Sequence, residues 1–266
     1  MPSDSFKIQA HIHEIYDEGY TGQSPWRELG GKYKAKNLME VCRRADVQPK
    51  RVLEVGAGEG SVLLHLDKAG YFEELNAVEI ATSGIDVIKS RELASLKSAE
   101  LFDGYSLPYE DNAFDAVILC HVLEHVEYER ILLRELMRVA PYQIIEVPLD
   151  YHFEVDTKVD HYLGYGHINM YTPSSLRFLL KSEGFDVVEE ILEISHEDVV
   201  TFNEFINKKT PKTKENEAAL KQVLRNKRRA FYDANKEQAE MIAESLTILT
   251  KRGKGRLNIR EKQATV

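Results

Sequence analysis

The chain has 266 residues, 43% apolar and 30% charged, which suffices for a sizeable core and fits one α/β domain with an elaboration. No apolar run approaches the ~20 residues that span a bilayer, and the acidic start MPSDSFKIQAHIHEIYDEGY lacks the apolar stretch of a secretory signal, so neither anchor nor signal is expected. The net charge of −9 is unevenly placed: residues 1–207 hold 19 Lys and Arg against 37 Asp and Glu (−18), residues 208–266 hold 16 against 7 (+9), and so acidic a body is a poor nucleic-acid surface.

In chain order, the first 45 residues read as a helical preface, with GGKYKAKNLMEVCRRA as its clearest helix. RVLEVG (51–56), LNAVEI (75–80), AELF (99–102), AFDAVILC (113–120) and YQIIEVP (142–148) read as buried strands rich in Val and Ile. Amphipathic stretches separate them. SVLLHLDKAG runs from Ser61 to Gly70, TSGIDVIKSRELA has Thr82 or Ser83 as its cap, and YERILLRELMRV places Ile131, Leu132, Leu136 and Val139 on one face. Alternating strands and helices predict a parallel sheet covered on both sides. TPSSLRFLLKSEGF (172–185) is a helix opening on Pro173 and stopped by Gly184, and FDVVEEILEI (185–194) and ESLTILTKR (244–252) form a last strand pair. Between those strands, residues 196–243 carry Leu220, Leu224, Phe231 and Ala234 at helical spacing and predict a helical insertion. Residues 253–266 read as a solvated tail.

The turn after the first strand holds Gly56, Gly58 and Gly60, but Ser61 stands where a G-x-G-x-x-G dinucleotide fingerprint puts its third glycine. Glu79 closes the second strand, 23 residues after Gly56, where a carboxylate can accept both hydroxyls of a ribose. An adenosine is therefore expected, and the glycines alone do not say which one.

The ordered blocks VLEVGAGEG, VEI, FDGYSLPYEDNAFDAVILCHVLEHV and RELMRVAPYQIIEVP resemble the class I S-adenosylmethionine (SAM) dependent methyltransferases, on the side of the ubiquinone-biosynthesis-like small-molecule enzymes. The likeness runs from about residue 50 to 195 and returns at the terminal strand. It implies an α/β, Rossmann-like sheet of order 3-2-1-4-5-7-6, with strand 7 antiparallel and SAM, or its product S-adenosylhomocysteine (SAH), across the strands' carboxyl ends. On that resemblance Glu54, Gly56, Ala57, Gly58 and Gly60 approach the methionine part, Glu79 the ribose, and Asp103 with Gly104 the adenine edge. Ile80, Cys120 and His121 complete the cofactor set. The departure is APYQIIEVP, where many relatives carry a glycine-rich turn. The implied division is a substrate-capping preface (1–48), a SAM-binding core (49–195 with 244–252), the insertion (196–243) and the tail.

Methyl transfer is an in-line displacement, so the protein must align the reactants and, for a hydroxyl acceptor, remove a proton. His121, Glu124 and His125 in CHVLEHV sit where the methyl should emerge, and His167 lies in YGHINMYTP. Imidazole is the natural base near neutral pH, so His125 or His167, then His121, is expected to act as base or to orient the acceptor. Metal-assisted O-methyltransferases carry Glu-x-x-Glu-His and a later His. Here His121 replaces the first Glu, so the expectation is no metal, with His121, Glu124, His125 and His167 as the ligand set of the alternative. Tyr16, Tyr20, Trp26, Tyr33 and Tyr171 are candidate acceptor-pocket residues.

The acceptor expected is a small metabolite, sugar or natural-product intermediate, with no nucleic acid and no membrane as partner. A non-catalytic partner protein of the same fold and an oxidoreductase are the rivals. Cys42 and Cys120 form no metal or redox pair, which favours a reducing cytoplasm. Lys221, Arg225, Lys227, Arg228 and Arg229 predict that the insertion holds an anionic acceptor or the acidic body of this chain or its partner, as a lid or a homo-oligomer contact.

Overall fold

The computed structural model describes residues 19–253, so Tyr16, most of the preface before α1 and nearly all of the tail lie outside the described residues. Seven strands form one sheet: β1 (Arg51–Val55), β2 (Glu74–Glu79), β3 (Leu96–Leu101), β4 (Ala116–Cys120), β5 (Tyr142–Pro148), β6 (Phe185–Glu193) and β7 (Ser245–Arg252). Their order is β3-β2-β1-β4-β5-β7-β6, as the resemblance implies, and β7 runs antiparallel between β5 and β6. The central strands are buried on both faces, which is why β4 reads as an unbroken apolar run rather than an alternating one.

The helices are α1 (Pro25–Arg44), α2 (Ser61–Ala69), α3 (Thr82–Ser90), α4 (Glu129–Val139), α5 (Val159–Leu163) and α6 (Pro173–Glu183), followed by the insertion. One apolar layer packs Leu38, Leu63, Leu66 and Ile88 of α1, α2 and α3 on the sheet, and the other packs Leu132, Leu136 and Leu176 of α4 and α6. Helix α1 begins five residues before Gly30, because Ser24 accepts a hydrogen bond from the Arg27 amide and Pro25 fits the first turn. The α4 face differs from expectation: Leu133 is buried while Ile131 is exposed, since the stripe 132, 133, 136, 139 is the one turned to the sheet. Neither Thr82 nor Ser83 caps α3. Ala81 holds that place, and the Glu79 carboxylate accepts from the Ile80 and Ala81 amides instead. The expected signals at α6 hold, with a Thr172–Ser175 capping box and Gly184 at φ 96°.

The insertion consists of α7 (Glu197–Phe202), which runs into a π-turn at Asn203–Asn207, α8 (Lys214–Tyr232) and α9 (Lys236–Ile242). Leu224 and Phe231 are its buried residues on α8, whereas Ala234 lies beyond that helix. Three of the five basic residues of the expected stripe find acidic partners within the chain, and Arg225 donates to Gln222. Lys227 pairs with Glu244 at the edge of β7, Arg228 with Glu197 at 3.8 Å and Arg229 with Asp233 at 3.4 Å. Among the described residues, no helix is long and apolar enough to cross a membrane.

Candidate active site

Two confluent cavities open at the carboxyl ends of β1, β2, β4 and β5. A slot of about 130 Å³ is walled by Glu79, Ile80, Phe102, Gly104 and Val122, and a wider cavity of about 550 Å³ lies beside it; Tyr20, Gly56, His121 and His125 border both. The glycine turn forms the partition. Gly56 has φ 71°, and a Cβ there would stand 2.6 Å from Cγ2 of Val122, so only glycine fits without displacing that side chain.

Glu79 is 3% exposed and fixes the turn: its Oε2 accepts from the Gly58 amide at 2.7 Å. It lines the slot with Ile80, and Ala57, Gly58 and Cys120 line the wider cavity. Glu54 lies beneath the turn on the central strand, between Ala77 and Ile118 of the neighbouring strands. It is 2% exposed, its Oε2 has no hydrogen-bond partner, and burial pushes its pKa up to about 8. Burial likewise raises the Cys120 thiol well above its ordinary value.

Two expected cofactor residues have other work. Gly60 borders neither cavity; it caps α2 at φ 73°, where a Cβ would meet Cγ1 of Ile88 at 2.9 Å. The Asp103 side chain is exposed, and its Oδ1 accepts from the Tyr105 and Ser106 amides, leaving Phe102 and Gly104 as slot wall.

His121 directly follows β4 at φ 56°, a left-handed conformation that is costly for a residue with a side chain. Its Nε2 lies 3.2 Å from Oε1 of Glu146, whose other oxygen accepts from the Thr247 hydroxyl, a residue directly opposite across β5 and β7. Its Nδ1 lies 3.4 Å from Glu124. Burial and Lys34 push the imidazole pKa down, but Glu124 and Glu146 outweigh them and hold it above its ordinary value. His125 donates from Nδ1 to the Gly166 carbonyl at 2.9 Å, and burial lowers its pKa. His167 donates from Nδ1 to Oδ2 of Asp150 at 2.7 Å, and the His125 and His167 rings meet edge to face at 4.9 Å.

The expected donor set is brought together in part. Glu124, His125 and His167 offer ligand atoms within 4.8 Å of one another, while His121 also turns to Glu146. Glu124 is 1% exposed and neither of its carboxylate oxygens has a hydrogen-bond partner.

Tyr20, Trp26 and Tyr33 border the wider cavity as expected. Tyr33 stacks on His196 at 3.6 Å and donates to Asp198 at the start of the insertion. Tyr171 does not border either cavity. It is 6% exposed in the core, its hydroxyl 3.4 Å from the Leu123 carbonyl, and with Asn169 it supports the turn that carries Glu124 and His125.

Residues the sequence did not single out complete the site. Glu59, inside the glycine turn, accepts from the Ser24 amide, Arg27 and Arg91, joining α1 and α3 to the turn. An acid between two glycines was a visible signal, but nothing local marks Arg91 as its partner. Lys34 and Asn37 of α1 also line the wider cavity.

A methyltransferase-domain family model matches residues 26–190 of this chain. Norajmaline N-methyltransferase of Rauvolfia serpentina is 27% identical over 146 residues, 51% of this chain and 49% of that enzyme. The match thus spans about half of that relative. Demethylmenaquinone methyltransferase of Thermotoga maritima is 25% identical over 188 residues, 60% of this chain and 80% of that protein. The structure of Haemonchus contortus phosphoethanolamine N-methyltransferase 2 in complex with SAM superposes with a TM-score of 0.56 at 14% identity, covering 82% of this chain and 53% of that one. Matched over most of its length by the family model and carrying the 3-2-1-4-5-7-6 sheet, the chain belongs to the class I SAM-dependent methyltransferases.

Proposed function

We propose that the chain binds SAM with its adenosine in the slot and its methionine part along the glycine turn, and methylates a hydroxyl of a small molecule in the wider cavity. SAM supplies an electrophilic methyl group on a sulfonium. The protein's share is alignment and proton removal. Asp150 fixes the Nδ1–H tautomer of His167, which leaves Nε2 as the nitrogen that takes the acceptor's proton as the new bond to carbon forms. That carboxylate-oriented imidazole at the cavity wall is the observation that carries this reading. A volume of about 550 Å³ suits a small acceptor. His196 and Val199 border the cavity, which supports a lid role for the insertion. Both free cysteines are buried, which fits a cytoplasmic protein. In the test, His167→Ala lowers turnover by roughly a hundredfold or more while SAH affinity is kept; normal turnover rejects His167 as the base.

A metal-assisted version of the same transfer is the second reading, favoured by the buried, hydrogen-bond-free carboxylate oxygens of Glu124 beside His125 and His167. One carboxylate and two imidazoles suit a transition ion better than Mg²⁺, and such an ion would polarise the acceptor oxygen. Activity lost to EDTA and restored by a divalent ion selects this reading, whereas full activity in EDTA with metal content far below one ion per chain selects the first.

A further inference from the structure

Glu124 stands alone among the described residues as a buried side chain with neither carboxylate oxygen hydrogen-bonded. Its place is fixed by its backbone. The Glu124 carbonyl accepts from the Ile168 and Asn169 amides at 2.8 and 3.0 Å, which pins the Leu123–His125 turn to the segment that carries His167. Both residues wall the wider cavity, and a carboxylate oxygen of Glu124 and a ring nitrogen of His167 lie within 4.8 Å of each other.

The charge around Glu124 does not balance. His121 stands between the buried carboxyls of Glu124, at 3.4 Å, and Glu146, at 3.2 Å. Burial raises the pKa of both acids, but His121 and their other neighbours outweigh it and hold each below its ordinary value, so one imidazolium faces two carboxylates. Lys34 acts on Glu146 from α1. The insertion's cations turn elsewhere, Lys227 to Glu244 and Arg228 to Glu197. A buried anion without a hydrogen-bond partner is costly until a ligand completes it. An anionic acceptor would add to that excess and a neutral one would leave it, whereas an ammonium cancels it.

We infer that the acceptor is an amino alcohol with its ammonium and hydroxyl on adjacent carbons, and that Glu124 holds the ammonium while His167 takes the proton of the hydroxyl. This inference rests on the hydroxyl-methylation reading and names the class of acceptor within it. Groups on adjacent carbons lie about one hydrogen-bond length apart, so with a hydrogen bond of about 2.8 Å at each end they bridge a carboxylate and an imidazole this close. In the transfer the oxygen–methyl bond forms and the sulfur–methyl bond breaks, its electron pair staying on the sulfur of SAH. The hydroxyl proton goes to Nε2 of His167, and the ammonium is unchanged.

The test measures SAH formation by the whole chain, in EDTA with saturating SAM, on matched triplets: the amino alcohol, the diol and the plain alcohol of a cyclohexane and of a phenylethane frame. The amino alcohol is expected to exceed its two counterparts at least about tenfold in kcat/KM, the worth of one hydrogen bond to a charged group, and to carry the methyl on oxygen. Glu124→Gln should bring that ratio to within about twofold of one at parental SAH affinity, while Glu124→Asp, which keeps the charge, retains a preference. Cyclohexylamine, tested on the unaltered chain, should compete with the acceptor at concentrations at which cyclohexanol does not. A parent that prefers the diol or the plain alcohol, or a Glu124→Gln variant that keeps the preference, overturns the inference and leaves the hydroxyl reading standing. A methyl group found on nitrogen overturns it too, since the amine would then be the nucleophile rather than the anchor. Turnover that needs a divalent ion gives Glu124 to a metal and rejects it. If no member yields an O-methyl product although SAH binds, the hydroxyl reading fails and the amino alcohol with it.

Discussion

Arg91, at the end of α3, and Glu59, in the glycine turn, form an ion pair at 3.2 Å with both side chains 1% exposed. Arg91 also donates to the Glu59 carbonyl at 2.6 Å and to Glu28 of α1 at 2.8 Å. The pair therefore sets the height of the turn between two helices, and with it the partition of the site. Removing one member of a buried pair costs about 3–5 kcal/mol where the other is left without a partner; Glu59 keeps Arg27 at 3.1 Å and the Ser24 amide, so the loss of Arg91 is expected to fall below that range. Arg91→Leu should lower the denaturation midpoint accordingly and weaken SAH. Equal stability in urea titration would show that the pair is replaceable.

Glu79→Ala should weaken SAH by about 1.5–3 kcal/mol, the worth of a hydrogen bond to a charged group. The same carboxylate receives the Gly58, Ile80 and Ala81 amides, so the variant also loosens the turn. Titration calorimetry that finds full affinity would place the ribose elsewhere.

Asp150→Asn tests orientation separately from the base itself. The ring of His167 stays, but the partner that fixes its tautomer at 2.7 Å no longer accepts as strongly. Turnover should fall by roughly ten- to a hundredfold with SAH affinity unchanged. A variant as fast as the parent would mean that Asp150 only packs.

Glu54 sets a pH dependence. Burial raises its pKa from an ordinary 4.5 to about 8, with Lys34 opposing and Glu79 adding to the rise. At pH 7 the free protein therefore keeps this carboxyl mostly protonated. Its contribution to stability is full below 4.5 and is lost as pH rises through about 8. The resemblance puts the cofactor's methionine part, which carries an ammonium, at Glu54; that charge favours the carboxylate, so binding should expel a proton and SAH affinity should rise from pH 6 to pH 8. Calorimetry at pH 7 in two buffers of different ionisation enthalpy measures that proton, and identical heats would refute its release.

The insertion joins the end of β6 to the start of β7, where Glu193 faces Ser245, and none of its residues walls the slot at Glu79. Joining those strands by a short turn should leave SAH binding intact and abolish methyl transfer, since Tyr33 loses Asp198 and the cavity loses Val199. A deletion variant that methylates normally and keeps its oligomeric state would sink the lid reading.

The strands and the glycine turn were legible in the sequence, because a parallel sheet buried on both faces demands apolar runs bounded by turn residues and helix caps; the strand order came from the resemblance to the family, since apolar runs do not say which strands are neighbours. Glu79 was legible for the same reason, standing at a fixed distance from Gly56 at the end of the next strand. Periodicity does not reveal how a chain returns on itself. Asp150 and His167 are 17 residues apart in an irregular connection, Glu59 and Arg91 meet across 32, and Glu146 finds Thr247 across 101 only because β7 inserts beside β5. Tyr171 shows the opposite case: an aromatic close to His167 in sequence is core, because it packs among buried side chains with its hydroxyl 3.4 Å from the Leu123 carbonyl. Local sequence decides which segments are helix or strand. Which polar side chains share a cavity is decided by packing, since each must find a partner or a ligand once the sheet and helices have closed around it.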